Sequence, residues 1–242
     1  MKQIKVNGIV ISENNMGDFD KMLTILTPNL GKIGCSARGA RRPKSLLLSG
    51  TQFLCFGEYM LFKGSETYSI NSCETIEMFY NIRTDLEKLT YASYITKIIN
   101  DVTTENQNSF YTLKLFLNTL YMISETDKNL DFIVAVFKIR ILKILGFAPN
   151  SLECVNCKSK ENLNYFSIKD NGFKCNSCGK LDTGAIQMRD ATRNAINYIL
   201  RSDSKKIFSF ELSEKCQKEL ELIANIFLNE KLEREYKLEK LF

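Results

Sequence analysis

The sequence predicts an α+β protein: a small β-barrel or sandwich, then helices that carry a cysteine-bearing insert. Three observations lead there. Short apolar runs separated by turn residues fill residues 1 to about 76. Apolar residues then recur at helical spacing. The polar stretch 151–181 interrupts that spacing and holds four of the eight cysteines. At 242 residues, 44% hydrophobic and 25% charged, the chain is long and apolar enough to bury a sizeable core.

The strands come first. Val6, Ile9, Val10 and Ile11 begin one, and Lys21–Thr27 reads as a second apolar run. Pro28-Asn29-Leu30-Gly31 is a turn, Lys32–Ala37 a third strand, and Thr51–Lys63 one or two more, with Gly57 as a candidate bulge. Lys63-Gly64-Ser65 turns into Thr67–Ile70. About five short strands joined by turns suit a barrel or sandwich.

Helices follow. Thr84 and Glu87 have the spacing of a capping box ahead of Leu86, Leu89, Ala92, Ile95 and Ile99, a helix running to near Val102. Asn106-Gln107-Asn108 breaks the pattern before Leu113, Phe116, Leu117, Leu120 and Ile123 mark a second helix. Leu130–Leu145 is apolar nearly all round, which predicts a central buried helix stopped by Gly146 and Pro149. Helical patterning resumes near Arg189. Ser213 can cap a last helix with Cys216, Leu220, Ile223, Ala224 and Phe227 on one face, and Glu230–Lys240 reads as a solvated helix end.

Several functions are excluded at this level. No apolar run reaches the ~20 residues that span a bilayer; Leu130–Leu145 is interrupted by Lys138, Arg140 and Lys143. Met1-Lys2-Gln3-Ile4-Lys5 leads into alternating residues without an apolar signal core, so the expected location is the cytoplasm, with no membrane partner. The chain has no histidine, which removes Ser-His and Cys-His catalysis. It has no G-x-x-x-x-G-K-[ST] loop for a nucleotide. A non-enzymatic protein is expected. The net charge of +5 is too mild to name a partner, so its distribution decides.

The cysteines divide into two groups. Cys35, Cys55, Cys73 and Cys216 are scattered in apolar contexts and read as small buried hydrophobes. Cys154-Val-Asn-Cys157 and Cys175-Asn-Ser-Cys178 are separated by seventeen residues, within the spacing of paired zinc knuckles. Leu163–Ile168, Lys169-Asp170-Asn171-Gly172 and Phe173-Lys174 form a hairpin that can return the second pair to the first. Four thiolates complete a tetrahedron and leave no open position, which predicts one structural zinc ion. Lys158, Lys160, Lys174 and Lys180 surround the quartet and would offset its negative charge. Redox chemistry at a single C-x-x-C pair is the competing reading.

Lys32, Arg38, Arg41, Arg42 and Lys44 place five cations and no acid in thirteen residues. Gly34 and Gly39 permit close backbone approach, and such cations grip phosphates without reading sequence. Phe53, Phe56, Tyr59 and Tyr68 can stack bases but are expected in the core.

Taken together, these motifs resemble the RecO family of bacterial DNA repair proteins, which are recombination mediators. The residues that carry the resemblance are Gly17-Asp18 and Leu26-Thr27 after the opening strand, and Gly31-Lys32 through Ala37-Arg38-Gly39-Ala40-Arg41-Arg42-Pro43-Lys44-Ser45. Leu145-Gly146-Phe147-Ala148-Pro149 running into Cys154-x-x-Cys157, and then Cys175-x-x-Cys178, complete the match. The sequence departs from the family pattern at its C-terminal end and around Asn171-Gly172-Phe173.

The resemblance implies an OB-fold DNA-binding domain over 1–78 and a helical domain over 79–150 and 182–242, with a four-cysteine zinc module at 151–181. It implies binding of single- and double-stranded DNA through Lys32, Arg38, Arg41, Arg42 and Lys44, and annealing of complementary strands. It also implies help in loading the recombinase RecA, with RecR, onto strands coated by single-stranded-DNA-binding protein, in a nucleoid-associated location. Some members lack the cysteines, which puts zinc outside the DNA chemistry. Two other readings stay open: a zinc-ribbon transcription or translation factor that binds a protein partner, and a C-x-x-C redox enzyme.

Overall fold

The computed structural model describes residues 3–64 and 67–238. Met1, Lys2, Ser65 and the end of the expected tail from Glu239 fall outside them. The chain divides into two compact units, one ending at Ser124 and the other beginning at Glu125.

The first unit opens with five strands, β1 (Gln3–Met16), β2 (Asp20–Thr27), β3 (Gly31–Ala37), β4 (Phe56–Lys63) and β5 (Tyr68–Glu77). They close into a barrel in the order β1-β2-β3-β5-β4, with β1 pairing back onto β4 from Gln3↔Phe62 to Ile9↔Phe56. All these pairings are antiparallel except β3 with β5, joined at Cys35↔Tyr68 and Ser36↔Ser69. Burial alternates residue by residue along β2 and β3, which gives the barrel its inside and outside. Ile33, Cys35 and Ala37 of β3 face in, as do Tyr59 and Leu61 of β4, against Val10, Leu23, Ile25 and Ile70. The β4–β5 register shifts at Phe56/Gly57, where a Cβ on Gly57 would lie 2.6 Å from the Glu74 carbonyl oxygen. The bulge falls at Gly57, where the sequence predicts it.

Residues 51–55 are not strand. Between β3 and β4 the chain makes short local turns: the Thr51 N–H donates to Leu47 O at 3.1 Å and that of Cys55 to Gln52 O at 3.0 Å. This segment inserts Ala40 and Leu47 into the barrel core and accepts the Tyr59 hydroxyl on Gly50 O at 2.8 Å.

Three helices complete the unit, α1 (Tyr80–Arg83), α2 (Leu86–Val102) and α3 (Phe110–Glu125), the last reaching the unit boundary. The expected Thr84–Glu87 capping box is displaced by one residue. Asp85 caps α2 by accepting the Lys88 N–H at 3.0 Å, while the Thr84 hydroxyl turns back to the carbonyls of α1. Aspartate outcompetes threonine because an anion suits the positive end of the helix. The loop between α2 and α3 seats on the β2–β3 turn: the Lys32, Asn106 and Ser109 amides donate to Thr104 O, Leu30 O and Pro28 O. Gly31, at φ 67°, permits this contact, since a Cβ there would sit 1.9 Å from Thr104 O.

The second unit is built around α4 (Leu130–Ile144), whose residues Phe132 to Ile139 are all buried. Asn129 caps it, and Gly146 at φ 91° ends it as expected. The three cations on α4 are absorbed locally. The Lys138 ammonium meets Asn225 Oδ1, while Arg140 and Lys143 donate to Ile199 O and Leu200 O. These carbonyls lie in the last turn of α6 (Asp190–Arg201), where cations offset the negative helix end. Between α4 and α6 lie β6 (Tyr165–Ser167), β7 (Gly172–Lys174), the short α5 (Asn176–Lys180) and β8 (Ile186–Gln187), with sheet order β7-β6-β8.

The last helix, α7 (Glu214–Lys231), buries Cys216, Leu220, Ile223, Ala224 and Phe227 against the core, as its pattern predicts. Ser213 is its N-cap, but its side chain makes no capping bond. The tail is not a continued helix. Glu233 takes φ 49°, and the chain turns back so that Tyr236 is buried and its N–H reaches Asn229 Oδ1. Among the described residues no helix is long and apolar enough to cross a membrane.

Candidate metal centre and basic barrel surface

Each cysteine pair sits on a turn closed in the same way. The N–H after the second cysteine returns to the carbonyl of the first: Lys158 to Cys154 at 3.0 Å and Gly179 to Cys175 at 2.8 Å. The β6–β7 hairpin, turning through Asn171 at φ 55°, brings the turns together. Cys154 and Cys175 are buried, Cys178 is half-buried and Cys157 exposed. Gly179 is pressed against the Tyr165 ring, where a Cβ would lie 2.2 Å from it.

All four sulfurs lie within 4.8 Å of one another, and Cys157 Sγ is 3.6 Å from Cys175 Sγ. A tetrahedral ion with Zn–S bonds of ~2.3 Å requires sulfur separations of roughly 3.8 Å. The thiols also compete for charge. Burial pushes Cys154 up, but the amides of Cys157, Cys175 and Asn156 outweigh it and bring that thiol to about 6. Hydrogen bonding with Cys157 and Cys175 pushes Cys178 up to about 12. Four thiols gathered at these separations suit a divalent cation, whose binding would hold them deprotonated. The residues therefore fit a single tetrahedral metal ion.

The nearby lysines do not all face this charge. Lys174, almost fully buried, is held by Asp170 and by Asp182 at 2.7 Å, and Lys158 pairs with Glu153 at 3.2 Å. Lys160 and Lys180 remain exposed.

The predicted basic residues separate into two kinds. Arg38, Arg41, Arg42 and Lys44 are exposed on the segment after β3. Lys32 points elsewhere: its ammonium donates to Asn100 O at 2.7 Å and Asn100 Oδ1 at 3.3 Å, tying β3 to α2. The exposed set is anchored to the β1–β2 turn. Gly39 N–H donates to Asp20 Oδ1 at 2.7 Å, Arg41 N–H to Phe19 O at 2.9 Å, and Arg41 Nη1 to Gly17 O at 3.3 Å. Of the four aromatics considered from the sequence, Tyr59 is wholly buried and Phe53, Phe56 and Tyr68 are half-buried. Sequence reasoning passed over Phe19, whose ring lies beneath the Arg42 guanidinium at 5.4 Å. The turn sequence Gly17-Asp18-Phe19 was its only linear signal, since a pattern along the chain does not reveal which turn meets the basic segment.

A closed barrel with a cationic surface segment, helices and a four-thiol cluster define a mixed α+β protein with a metal-binding capacity. The family profile described as Recombination protein O N terminal matches residues 1–79, and Recombination protein O C terminal matches residues 83–240. The chain is 46% identical to the DNA repair protein RecO of Acetivibrio thermocellus over 237 residues, covering 98% of this chain and 94% of the relative. It is 32% identical to the protein of that name from Alkaliphilus metalliredigens (96% and 94% covered) and 30% identical to that from Bacillus subtilis (93% and 88%). The chain belongs to the RecO family.

Proposed function

We propose that this protein acts in DNA repair and recombination as a non-enzymatic mediator, and that its barrel is an OB-fold that binds single- and double-stranded DNA. The observation that carries the reading is the exposed set Arg38, Arg41, Arg42 and Lys44 on one anchored segment of the barrel. These cations neutralise phosphates on two strands, lower their mutual repulsion and let complementary strands anneal. Lys32, held on Asn100, adds only its charge.

Family membership supports the finer parts: assistance to recombinase loading on strands coated by single-stranded-DNA-binding protein, RecR as partner, and a cytoplasmic, nucleoid-associated location. The ion in the cysteine quartet is a structural zinc. It would be held by Cys154, Cys157, Cys175 and Cys178, and it would supply cross-linking rather than catalysis. A strand-annealing assay on DNA coated with single-stranded-DNA-binding protein tests the reading. Accelerated annealing by wild type and its loss in Arg41→Ala/Arg42→Ala is expected. Annealing at the spontaneous rate with wild type would overturn it.

A further inference from the structure

We propose that Phe19 is a base-stacking residue, so that the barrel's basic surface takes single-stranded nucleic acid by its bases as well as its phosphates. This rests on the reading of Arg38, Arg41, Arg42 and Lys44 as a phosphate-binding set.

A singly exposed aromatic is ordinary on a protein surface. Phe19 differs in where it is held. The residue is 45% exposed on the β1–β2 turn, and that turn is fastened to the basic segment by the Asp20, Phe19 and Gly17 hydrogen bonds. The Arg42 guanidinium lies over the ring. An aromatic face and a guanidinium plane together form a surface on which unpaired bases stack, while neighbouring cations hold the strand's phosphates. Duplex bases are already stacked on one another, so a duplex can use only the cations. Stacking holds a base by its face and leaves its pairing edge free. It therefore tolerates any sequence and is compatible with annealing, in which that edge must find its complement. Tyr59 cannot play this part because it is sealed inside the barrel.

The full chain is tested with an oligothymidylate and a blunt duplex of equal length. Phe19→Ala should weaken oligothymidylate binding about 5- to 150-fold, leaving duplex affinity and both salt slopes at wild-type values. Phe19→Tyr should bind as wild type. The chain has no tryptophan, so Phe19→Trp gives a single reporter whose emission the oligothymidylate should quench and the duplex should not. Wild-type oligothymidylate affinity in Phe19→Ala, equal losses for both DNAs, or an unquenched tryptophan at saturating oligothymidylate would each overturn the proposal. If wild type binds neither DNA, the phosphate-binding reading has failed, and this inference falls with it for that separate reason.

Discussion

The rings of Phe166 and Phe227 meet edge to face, with centroids 5.1 Å apart and planes at 74°, and both side chains are wholly buried. Phe166 lies on β6, in the hairpin that returns the second cysteine pair to the first, and Phe227 on α7. Phe173 of β7 extends the cluster at 5.9 Å from Phe166. The cysteine module thus shares a hydrophobic core with the last helix.

Coupling between metal and helix follows from that contact. Phe227→Ala should destabilise the protein by about 3–5 kcal/mol, the usual cost of emptying a buried phenylalanine site. It should also loosen the module and speed metal loss to a chelator. Chelation of wild type should lower the melting temperature of the α7 signal, not just that of the insert. Thermal denaturation followed by circular dichroism, with and without chelator, checks both. A chelator that leaves the helical transition untouched would show that the module folds on its own account.

The metal stoichiometry should be one zinc per chain. Cys154→Ser should reduce it sharply, because binding free energy at such sites is also folding free energy. Cys73→Ser, which alters a half-buried barrel thiol outside the quartet, should leave zinc content unchanged. Elemental analysis of the purified variants decides. Undiminished zinc in a variant with serine at all four quartet positions would move the site elsewhere.

Lys174 gives the module an acid-sensitive brace. Hydrogen bonding to Lys174, then to Ser167, holds the Asp182 carboxyl down at about 2, against an ordinary 3.8. A depressed carboxylate adds stability that is full above its unfolded value and is lost as pH falls through its folded value. Asp182→Asn should therefore be less stable than wild type at neutral pH. The gap in melting temperature should hold constant down to about pH 4 and close as pH falls toward 2. Both proteins carry the same cysteines, so acid loss of metal affects them alike. A gap that widened in acid would reverse the assignment.

Much of this architecture was legible in the sequence, for a physical reason: period and punctuation are local. Apolar runs punctuated by turn residues located β2 and β3, helical spacing located α2, α3 and α7, an all-round apolar run located α4, and Asn171-Gly172 located the hairpin. The paired spacing of Cys154, Cys157, Cys175 and Cys178 named a cluster that the fold brings together. What could not be read depends on distant partners. The choice of Asp85 over Thr84 depends on where α1 ends. The burial of Lys174 depends on Asp182 arriving from beyond the second cysteine pair. The return of the tail depends on Asn229 accepting the Tyr236 amide. The position of Phe19 depends on which turn faces the basic segment, and linear spacing does not encode that.

Lys32 and the paired arginines should separate cleanly, though the sequence placed them in one basic segment. The Lys32 ammonium is half-buried against the last turn of α2 and donates twice to Asn100, so it answers the negative end of that helix. Lys32→Ala should cost about 1.5–3 kcal/mol, the range of a lost hydrogen bond from a charged donor, and should change the salt dependence of DNA binding little. Arg41→Ala/Arg42→Ala should do the reverse. Both side chains are exposed, so stability should stay within about 0.5 kcal/mol. The slope of log affinity against log salt should flatten by about 0.7 per lost phosphate contact on single strands and about 0.9 on duplex. The loss should be alike for every DNA sequence, since phosphates carry none. Fluorescence anisotropy across a salt series, beside thermal melts of the same preparations, reads both quantities. If the arginine pair lowered stability and left the slope intact, it would belong to the turn anchoring at Gly17 and Phe19 rather than to DNA. If Lys32→Ala flattened the slope as much as the arginines do, its bond to Asn100 would be one that DNA displaces.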